Sequence, residues 1–527
     1  MVGCKKVSLT AESVKGFFRE YLRYPIGIVG LILFVILLFM AVSFEIYGDQ
    51  EAIRNWFTNT QYFEDYPKTV PPCWFEELRG RNPTPTLVLK ADDPETSQLL
   101  AEKLRASVVR GDDGYVRLVI EMEFDVTGNK PPVDVYSTLF MAYNVTEGLM
   151  YVEKIYLERP DGSEFVFVEK KEGPQLPVVG GLPAQLQQPG VRIDSVFPGM
   201  PLKKLKGSSV SFSLKSMATS QSLLQRFVIP SLQEQGVDVS QVGFGNIATN
   251  LYKAIFSTDP FNSLVTGSFD VLNGTYRLNI IFLAQEAEID VQPEKLVVKG
   301  SCYGLLGTDD QGRDLFQGLL YGTRWALIVG LMTSAITVVF GSLYGIVSGY
   351  LGGISDEVML RFAQIIYSLP ALPLLILFAA IIGGNIWVII FLIVAFSWPG
   401  IAFVTRSMAF QIKSEPYVEA AVASGAGTVR IVLLYLAPQV LPYMFASMAL
   451  SVPGAVIAEA SLSFLNLGDP DLVTWGKILF EAQDAGAALN GYWWWVIPPG
   501  LAIAVVGMTF VFIGNALDAI LNPKLKR

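Results

Sequence analysis

Histidine is absent from this chain of 527 residues. Its absence excludes histidine as a general acid or base, serine-histidine triads and histidine metal ligands. The three cysteines are too few and too scattered for a zinc cluster. A phosphate-binding Gly-x-x-x-x-Gly-Lys-Ser/Thr loop is also missing from the sequence, so the chain does not carry the usual ATPase chemistry. We therefore expect a protein that is not an enzyme and that itself binds no metal or cofactor.

Charged residues are scarce as well. They make up 17% of the sequence, against about 25% in a typical soluble domain, while hydrophobic residues make up 51%. The formal net charge of -9 argues against nucleic acid as a partner. The shortage of charge predicts long segments that lie in a lipid membrane.

Uncharged runs long enough to cross a bilayer occur near the start and in the C-terminal part of the chain. The first is followed by Phe44-Glu45-Ile46-Tyr47 rather than by a small-residue cleavage site, so we interpret it as a retained helix. Gly383-Gly384-Asn385 divides the third run into two helices joined by a tight turn. The runs are 25–44, 325–355, 362–405, 431–458 and 492–517. They predict six transmembrane helices.

Lysine and arginine placement predicts the orientation of these helices. A basic segment precedes the first run, which places the N-terminus in the cytoplasm, and six crossings return the basic C-terminus to the same side. Residues about 45–324 are then extracytoplasmic, in a multi-pass protein of the plasma membrane.

The large external region has the pattern of β-strands. Val116, Leu118 and Ile120 begin an alternation of apolar residues, and Pro160-Asp161-Gly162 is typical of a hairpin turn. We expect a mostly-β, sandwich-like domain at 76–300. It is inserted between a first part at 1–75 (cytoplasmic N-terminus, first transmembrane helix and external linker) and a five-helix core at 301–527.

The connection between the fourth and fifth predicted helices carries Glu415-Pro416-Tyr417-Val418-Glu419-Ala420-Ala421, then Gly425 and Pro438. It predicts a short amphipathic helix, a glycine turn and a second helix that enters the membrane. Small residues permit close approach of another protein, and Glu419 offers one polar anchor. Taken alone, Glu-Ala-Ala favours an ordinary cytoplasmic loop.

The spacing of Glu419, Ala420, Ala421, Gly425 and Pro438 resembles the Glu-Ala-Ala loop of permease subunits of ABC importers. In that family the loop forms a coupling helix that docks into the ATPase subunit. The resemblance implies this role for 407–430, including Glu415 and Tyr417. Tyr435 and Ala437 depart from the pattern, which has an aliphatic residue or histidine and a leucine there.

Further motifs resemble dipeptide and oligopeptide importer permeases, closely over 303–527 and loosely over 1–75. They are Leu306-Gly307-Thr308-Asp309-Asp310-Gln311-Gly312-Arg313-Asp314 with Tyr321-Gly322-Thr323-Arg324; Gly349-Tyr350-Leu351-Gly352-Gly353 with Asp356 and Arg361; Glu459-Ala460-Ser461-Leu462-Ser463-Phe464-Leu465-Asn466-Leu467-Gly468 with Trp475-Gly476; and Leu521-Asn522-Pro523-Lys524-Leu525.

This resemblance implies the fold of a type I ABC importer permease and an alternating-access mechanism. It implies a heterodimer with a second homologous permease, two cytoplasmic ATPase subunits that hold ATP and Mg, and an extracytoplasmic solute-binding protein. Short peptides are the expected substrate, with oligosaccharides as the alternative. The insert at 76–300 is not part of the family pattern, so its role is not inherited.

Two hypotheses of other classes remain. One is a surface binding or structural module tethered by a membrane bundle. The other is a secondary transporter, which usually has inverted repeats and intramembrane charges that are not evident here.

Two cysteines and two sequons lie in the predicted external region. Cys73 and Cys302 bracket the insert, and we favour a disulfide that clamps its base over two buried free thiols. Cys4 is expected to be a free cytoplasmic thiol. Asn144 and Asn273 begin glycosylation sequons.

Two acidic sites have competing interpretations. Glu459 either lines the outer mouth of the translocation path or is a carboxylate in water at a helix end. Asp309, Asp310 and Asp314 suggest a calcium loop, but their spacing does not match an EF-hand and Arg313 lies among them. The family resemblance implies instead a structured elbow before the second transmembrane helix.

Overall fold

The computed structural model describes residues 20–111, 115–145, 151–169, 191–192, 205–219, 224, 229–234, 243–285 and 287–521. Within these residues the chain forms two compact units. The membrane unit comprises the chain up to Thr60 and from Leu315 onwards, and the inserted unit is Gln61–Asp314.

The helices are described here in chain order. They are α1 Pro25–Tyr47, α2 Gln50–Asn55, α3 Cys73–Leu78, α4 Ser97–Lys103, α5 Leu214–Thr219, α6 Ile229–Glu234, α7 Phe244–Ala254, α8 Pro260–Thr266, α9 Leu315–Leu351, α10 Gly353–Ser368, α11 Ala371–Ile382, α12 Ile386–Lys413, α13 Pro416–Ala423, α14 Thr428–Ile431, α15 Ala437–Phe464, α16 Trp475–Asp484 and α17 Trp493–Leu521.

Among the described residues, five helices of the membrane unit are long and apolar enough to cross a bilayer: α1, α9, α12, the continuous segment from α14 through α15, and α17. The pair α10–α11 passes the same test only when its two helices are taken together, so the count is five spans, or the predicted six when this pair counts as one. The pair is bent by 79°, which the sequence did not predict. Pro370 explains the bend, because a proline drives the preceding residue into extended conformation, and Leu369 has φ -74° and ψ 137°.

Helices α9 and α12 pack with their backbones close together. Gly341, Gly345 and Gly349 lie on one face of α9, four residues apart. A Cβ added to Gly341 would lie 2.6 Å from the Trp398 carbonyl oxygen, and one added to Gly349 would lie 2.7 Å from that of Arg406. Larger side chains on this face would separate the helices, as in other small-residue contacts between membrane helices.

In the part of the chain that the structure describes, the strands all belong to the inserted unit. They are β1 Leu87–Lys90, β2 Leu104–Arg110, β3 Tyr115–Val126, β4 Asp134–Val145, β5 Tyr151–Glu158, β6 Glu164–Glu169, β7 Val191–Arg192, β8 Leu205–Ser213, β9 Gly274–Gln285 and β10 Ala287–Lys299. They form two five-stranded sheets, in the orders β1-β10-β4-β8-β7 and β2-β3-β9-β5-β6.

One hydrophobic core is shared by the two sheets, as in a sandwich. The predicted alternation in β3 is present: Leu118, Ile120 and Met122 are buried, and their neighbours are more exposed. Phe212 of the first sheet meets Phe282 of the second with ring centroids 6.4 Å apart. The mostly-β, two-layered insert predicted from the sequence is therefore confirmed.

The predicted hairpin turn joins β5 and β6. Gly162 has φ +79°, a left-handed conformation that glycine adopts without strain. The Gly162 N–H donates to the Arg159 carbonyl (2.9 Å), and the Ser163 N–H donates to the Asp161 carboxylate (3.0 Å).

The two ends of the inserted unit lie side by side. Cys73 and Cys302 form the expected disulfide, with Cα atoms 4.9 Å apart across a sequence separation of 229. The Tyr303 N–H donates to the Pro71 carbonyl (3.0 Å), and the Ser301 N–H donates to the Thr84 carbonyl (3.0 Å). Covalent and hydrogen bonds thus close the base of the insert.

Replacing Cys73 and Cys302 together by serine should destabilise the inserted unit by roughly 2–5 kcal/mol, because the bridge closes a very long loop of the unfolded chain. Thermal unfolding of the purified chain, followed by the β-sheet circular-dichroism signal, measures the change. Cys4→Ser serves as the matched control and should leave the transition where it is. An unchanged transition in the double variant would show that the bridge does not restrain the insert.

Candidate functional site

The connection between α12 and α15 is a short helix between two bends. Glu415 is extended (φ -73°, ψ 138°) at the start of α13, and Pro416 occupies the first helical position, where its fixed φ and missing N–H are tolerated. Gly425 follows the helix with φ +78°. Its N–H donates to the Val422 carbonyl (2.9 Å), and the Ala426 N–H donates to the Ala421 carbonyl (3.1 Å), which closes the last turn.

Helix α13 has one face on the bundle and one face open. Val418 and Ala421 are buried, and Val418 belongs to a core cluster with residues of α9, α12 and α15. Tyr417, Glu419 and Ala420 are exposed. The structure therefore divides the predicted motif: Ala421 anchors the helix, and the neighbouring positions are free for contact.

The rest of the predicted motif is also accessible. Glu415, Gly425 and Pro438 are all exposed, the last of these in the first turn of α15. Partial burial and the nearby Glu415 carboxylate raise the pKa of the Tyr417 hydroxyl, so this group stays neutral and able to donate a hydrogen bond.

An ion pair joins three helices close to this connection. Arg406 of α12 donates two hydrogen bonds to Asp356 of α10, from Nε (2.6 Å) and Nη2 (2.5 Å). Ser348 of α9 donates to the same carboxylate (2.5 Å). Lys413, at the end of α12, donates to the Tyr350 carbonyl of α9 (2.6 Å).

The pairing partner of Asp356 was not found from the sequence. The sequence motif that contains Asp356 also contains Arg361, but Arg361 pairs with Glu357 at the surface (3.3 Å). Arg406 is the first charge after the long uncharged run that ends at Thr405. This position was the signal in the sequence for an ion pair, because charged residues in membrane segments usually have a charged partner.

A cavity of about 480 Å³ opens between α9, α11, α12 and α15. Most of its wall is apolar, but six side chains bring hydroxyl groups: Thr333, Ser334, Thr337, Ser397, Ser451 and Ser461. Within the described part of the chain, the Thr333 and Thr337 hydroxyls are buried without a hydrogen-bond partner. A buried hydroxyl without a partner is costly in apolar surroundings, so these two groups suit a bound solute or water.

Glu459 lies near this cavity but is not in its wall. It is only 4% exposed, and Ser463 Oγ donates to its carboxylate (2.6 Å). A carboxylate in water is therefore not what the structure has. The role of Glu459 in the translocation path stays a prediction. Ser461, two residues further along α15, lies in the cavity wall.

The acidic segment before α9 is a hydrogen-bonded elbow. Asp309 is buried and accepts backbone N–H groups from Gln311 and Arg313 (2.9 Å each) and the Arg313 Nε (2.5 Å). Burial raises the pKa of Asp309, although Arg313 opposes the shift. Among the described residues no group of three or more acidic or cysteine side chains is placed to hold a metal ion.

The two sequons occupy different surroundings. Asn144 lies in β4, where its backbone pairs with Glu288 of β10. Asn273 is exposed directly before β9, and Thr275 Oγ1 donates to Asp125 (2.7 Å). Glycosylation of either asparagine stays a prediction.

Comparisons with known proteins agree on one family. Residues 341–527 match the family described as binding-protein-dependent transport system inner membrane component. The dipeptide transport system permease protein DppC of Bacillus subtilis is 36% identical over 222 residues, 42% of this chain and 69% of that protein. The oligopeptide transport system permease protein OppC of Haemophilus influenzae is 36% identical over 223 residues, 42% and 71% of the two chains.

A solved structure of the MetNI methionine ABC transporter in inward-facing conformations is also similar. It matches 39% of this chain and 95% of its own, with 19% identity and a TM-score of 0.32.

Asp356→Asn or Arg406→Met alone should destabilise the membrane unit by about 2 kcal/mol, since each leaves one partner of a largely buried pair uncompensated. The double variant should lose clearly less than the sum of the two single losses. Thermal unfolding in detergent gives the double-mutant cycle. Additive losses would mean that the two charges do not interact in the folded protein.

Proposed function

Since the chain belongs to the family of binding-protein-dependent transport system inner membrane components and is a permease subunit of an ABC importer, we propose that it imports short peptides with energy from ATP. It is a multi-pass membrane protein and a transport subunit rather than an enzyme. In the proposal, two separate cytoplasmic subunits hold ATP and Mg and hydrolyse the nucleotide. A second, homologous permease completes the pore, and an external binding protein delivers the solute.

The peptide assignment is supported by the relatives. Those with 36% identity are named as dipeptide and oligopeptide permeases. A peptide also carries several amide groups that need hydrogen-bond partners when they leave water. The hydroxyl-bearing cavity provides such partners at Thr333 and Thr337.

Helix α13 is the proposed contact with an ATPase subunit, within the loop 407–430. Its exposed face offers Tyr417, Glu419 and Ala420, while Val418 and Ala421 hold it on the bundle. A helix that is packed on the bundle on one face and exposed on the other can transmit a movement of a bound partner to the bundle without unfolding. This arrangement is the observation that carries the proposal.

The ion pair of Asp356 and Arg406 is the proposed route from that contact into the membrane. Arg406 lies two helical turns before the end of α12, and Ser348 adds α9 to the same network. A displacement of α13 would therefore move α9, α10 and α12 together. Alternating access needs such a joint motion, because the cavity, which α9 and α12 line together with α11 and α15, must open to one side at a time.

The proposed orientation keeps both chain ends in the cytoplasm and residues about 45–324 outside. In this arrangement the first part is 1–75, the insert is 76–300 and the five-helix core is 301–527. Helix α13 then faces the cytoplasm, where ATP is available.

When the chain is isolated from its native membranes in mild detergent, two ATPases, a second permease and a binding protein should copurify with it and be identified by mass spectrometry.

Glu419→Lys should reduce recovery of the ATPases and abolish peptide uptake, because it reverses the charge on the exposed face of α13. The folded structure should persist, since Glu419 contributes nothing to the core.

Glu357→Lys is the matched control, because it reverses the charge of a glutamate on α10 that is also exposed and lies outside the loop. Its uptake should stay near that of the unaltered chain. Full uptake with Glu419→Lys would contradict the coupling role. A chain that copurifies with no ATPase would contradict the importer assembly as a whole.

Thr333→Val with Thr337→Val should leave stability unchanged or raise it by about 1 kcal/mol, because two buried hydroxyls without partners are replaced by methyl groups of similar shape. Peptide uptake should fall several-fold in the same variant. Thr509→Val is the control, as that hydroxyl bonds to the Val505 carbonyl within α17 (2.7 Å). Unchanged uptake in the double variant would exclude these hydroxyls from the path.

A further inference from the structure

The inserted unit contains a polar pocket of about 360 Å³. Asp134, Tyr136 and Thr138 line it from alternate positions of β4. Val135, which lies between two of them, points instead into the hydrophobic core. The pocket therefore lies on the outer face of its sheet, the face away from the core.

Three lysines and two carboxylates line this pocket. They are Lys68, Lys295, Lys299, Glu64 and Asp134. Lys68 and Glu64 are exposed at its rim. The lining therefore has one more cationic than anionic side chain when all five are ionised.

The Asp134 carboxylate accepts hydrogen bonds from groups of the protein itself. It accepts the N–H of Val135 (2.8 Å), the N–H of Lys215 (3.1 Å) and the Ser213 hydroxyl (3.0 Å). Lys295 is likewise engaged, since it donates to the Asp65 carboxylate (2.6 Å). Neither Asp134 nor Lys295 needs a ligand to complete its hydrogen bonds.

Lys299 differs from its neighbours. It is 9% exposed, and its ammonium lies 4.8 Å from the centre of the Tyr136 ring. Among the described residues Lys299 Nζ has no hydrogen-bond acceptor and no ion-pair partner. Burial lowers the pKa of Lys299, against the opposing effect of Asp134. An ammonium buried without a partner is costly, and a bound anion would remove that cost.

We propose that this pocket binds the oxyanion group of a small ligand, with Lys299 as the buried anchor and Lys68 as a second cation at the rim. Its volume lies within the range of about 300–1,000 Å³ of small-molecule sites. An ammonium and an oxyanion form short charge-assisted hydrogen bonds. The oxyanion comes from one of two sources, the carboxylate of an organic acid or peptide, or phosphate. The pocket residues all belong to the inserted unit, and the inference does not depend on the proposed transport function.

The test is calorimetric titration of the purified full-length chain with three probes: alanylalanine, alanylalanine amide and inorganic phosphate. The unaltered chain should bind at least one of the two oxyanion probes. Lys299→Met should weaken that binding by about tenfold to a hundredfold, the effect of a lost hydrogen bond to a charged group. Lys253→Met, which removes an exposed lysine of α7, is the matched control and should bind as before.

The probes distinguish the sources. Binding of alanylalanine but not of its amide identifies a carboxylate site, and binding of phosphate alone identifies a phosphate site. No binding by either oxyanion at millimolar concentration, or equal binding by Lys299→Met, overturns the proposal.

Thermal unfolding separates a binding role of Lys299 from a structural one. Lys299→Met should unfold at the same or a higher temperature, since it removes an unpaired buried charge. A clear loss of stability would assign Lys299 to the fold and overturn its role as the anchor.

Discussion

The close contact of α9 with α12 is the constraint on which the membrane unit depends. Three glycines on one face of α9 let the backbones meet, and the carbonyl oxygens of Trp398 and Arg406 lie where larger side chains would be. Lipid supplies little hydrophobic driving force between helices, so such packing contacts have to hold them together. Because Arg406 emerges from this contact, its side chain reaches Asp356 on the next helix.

That geometry links the cavity to the connection at α13. The two helices in closest contact provide Thr333, Thr337 and Ser397 to the cavity wall, and the second of them runs on to Lys413, just before α13. Val418 then packs into a cluster that includes residues of both helices. Packed side chains therefore join α13 to helices that line the cavity.

The inserted unit has its own constraint, the closure of its base. The disulfide between Cys73 and Cys302 and the backbone hydrogen bonds beside it hold together the two chain segments that enter and leave the insert. Two sheets with one common core then fold on that base. Because the core occupies one face of each sheet, the other face of the first sheet is available for the polar pocket around Lys299.

Contiguous patterns in the sequence were enough to determine the spans, the two-layered insert, the turn at Gly162 and the family resemblance, all of which are confirmed. Hydropathy, alternation and turn residues act locally, so they can be read without knowing which segments meet. The partner of Asp356, the hydroxyl cavity and the burial of Lys299 were decided by tertiary structure, because each joins residues from separate segments. The bend before α11 is instead a local effect of Pro370. Local patterns do not specify which distant segments pack together. For that reason only the folded chain brings Arg406 to Asp356 and buries Lys299 without an acceptor among the described residues.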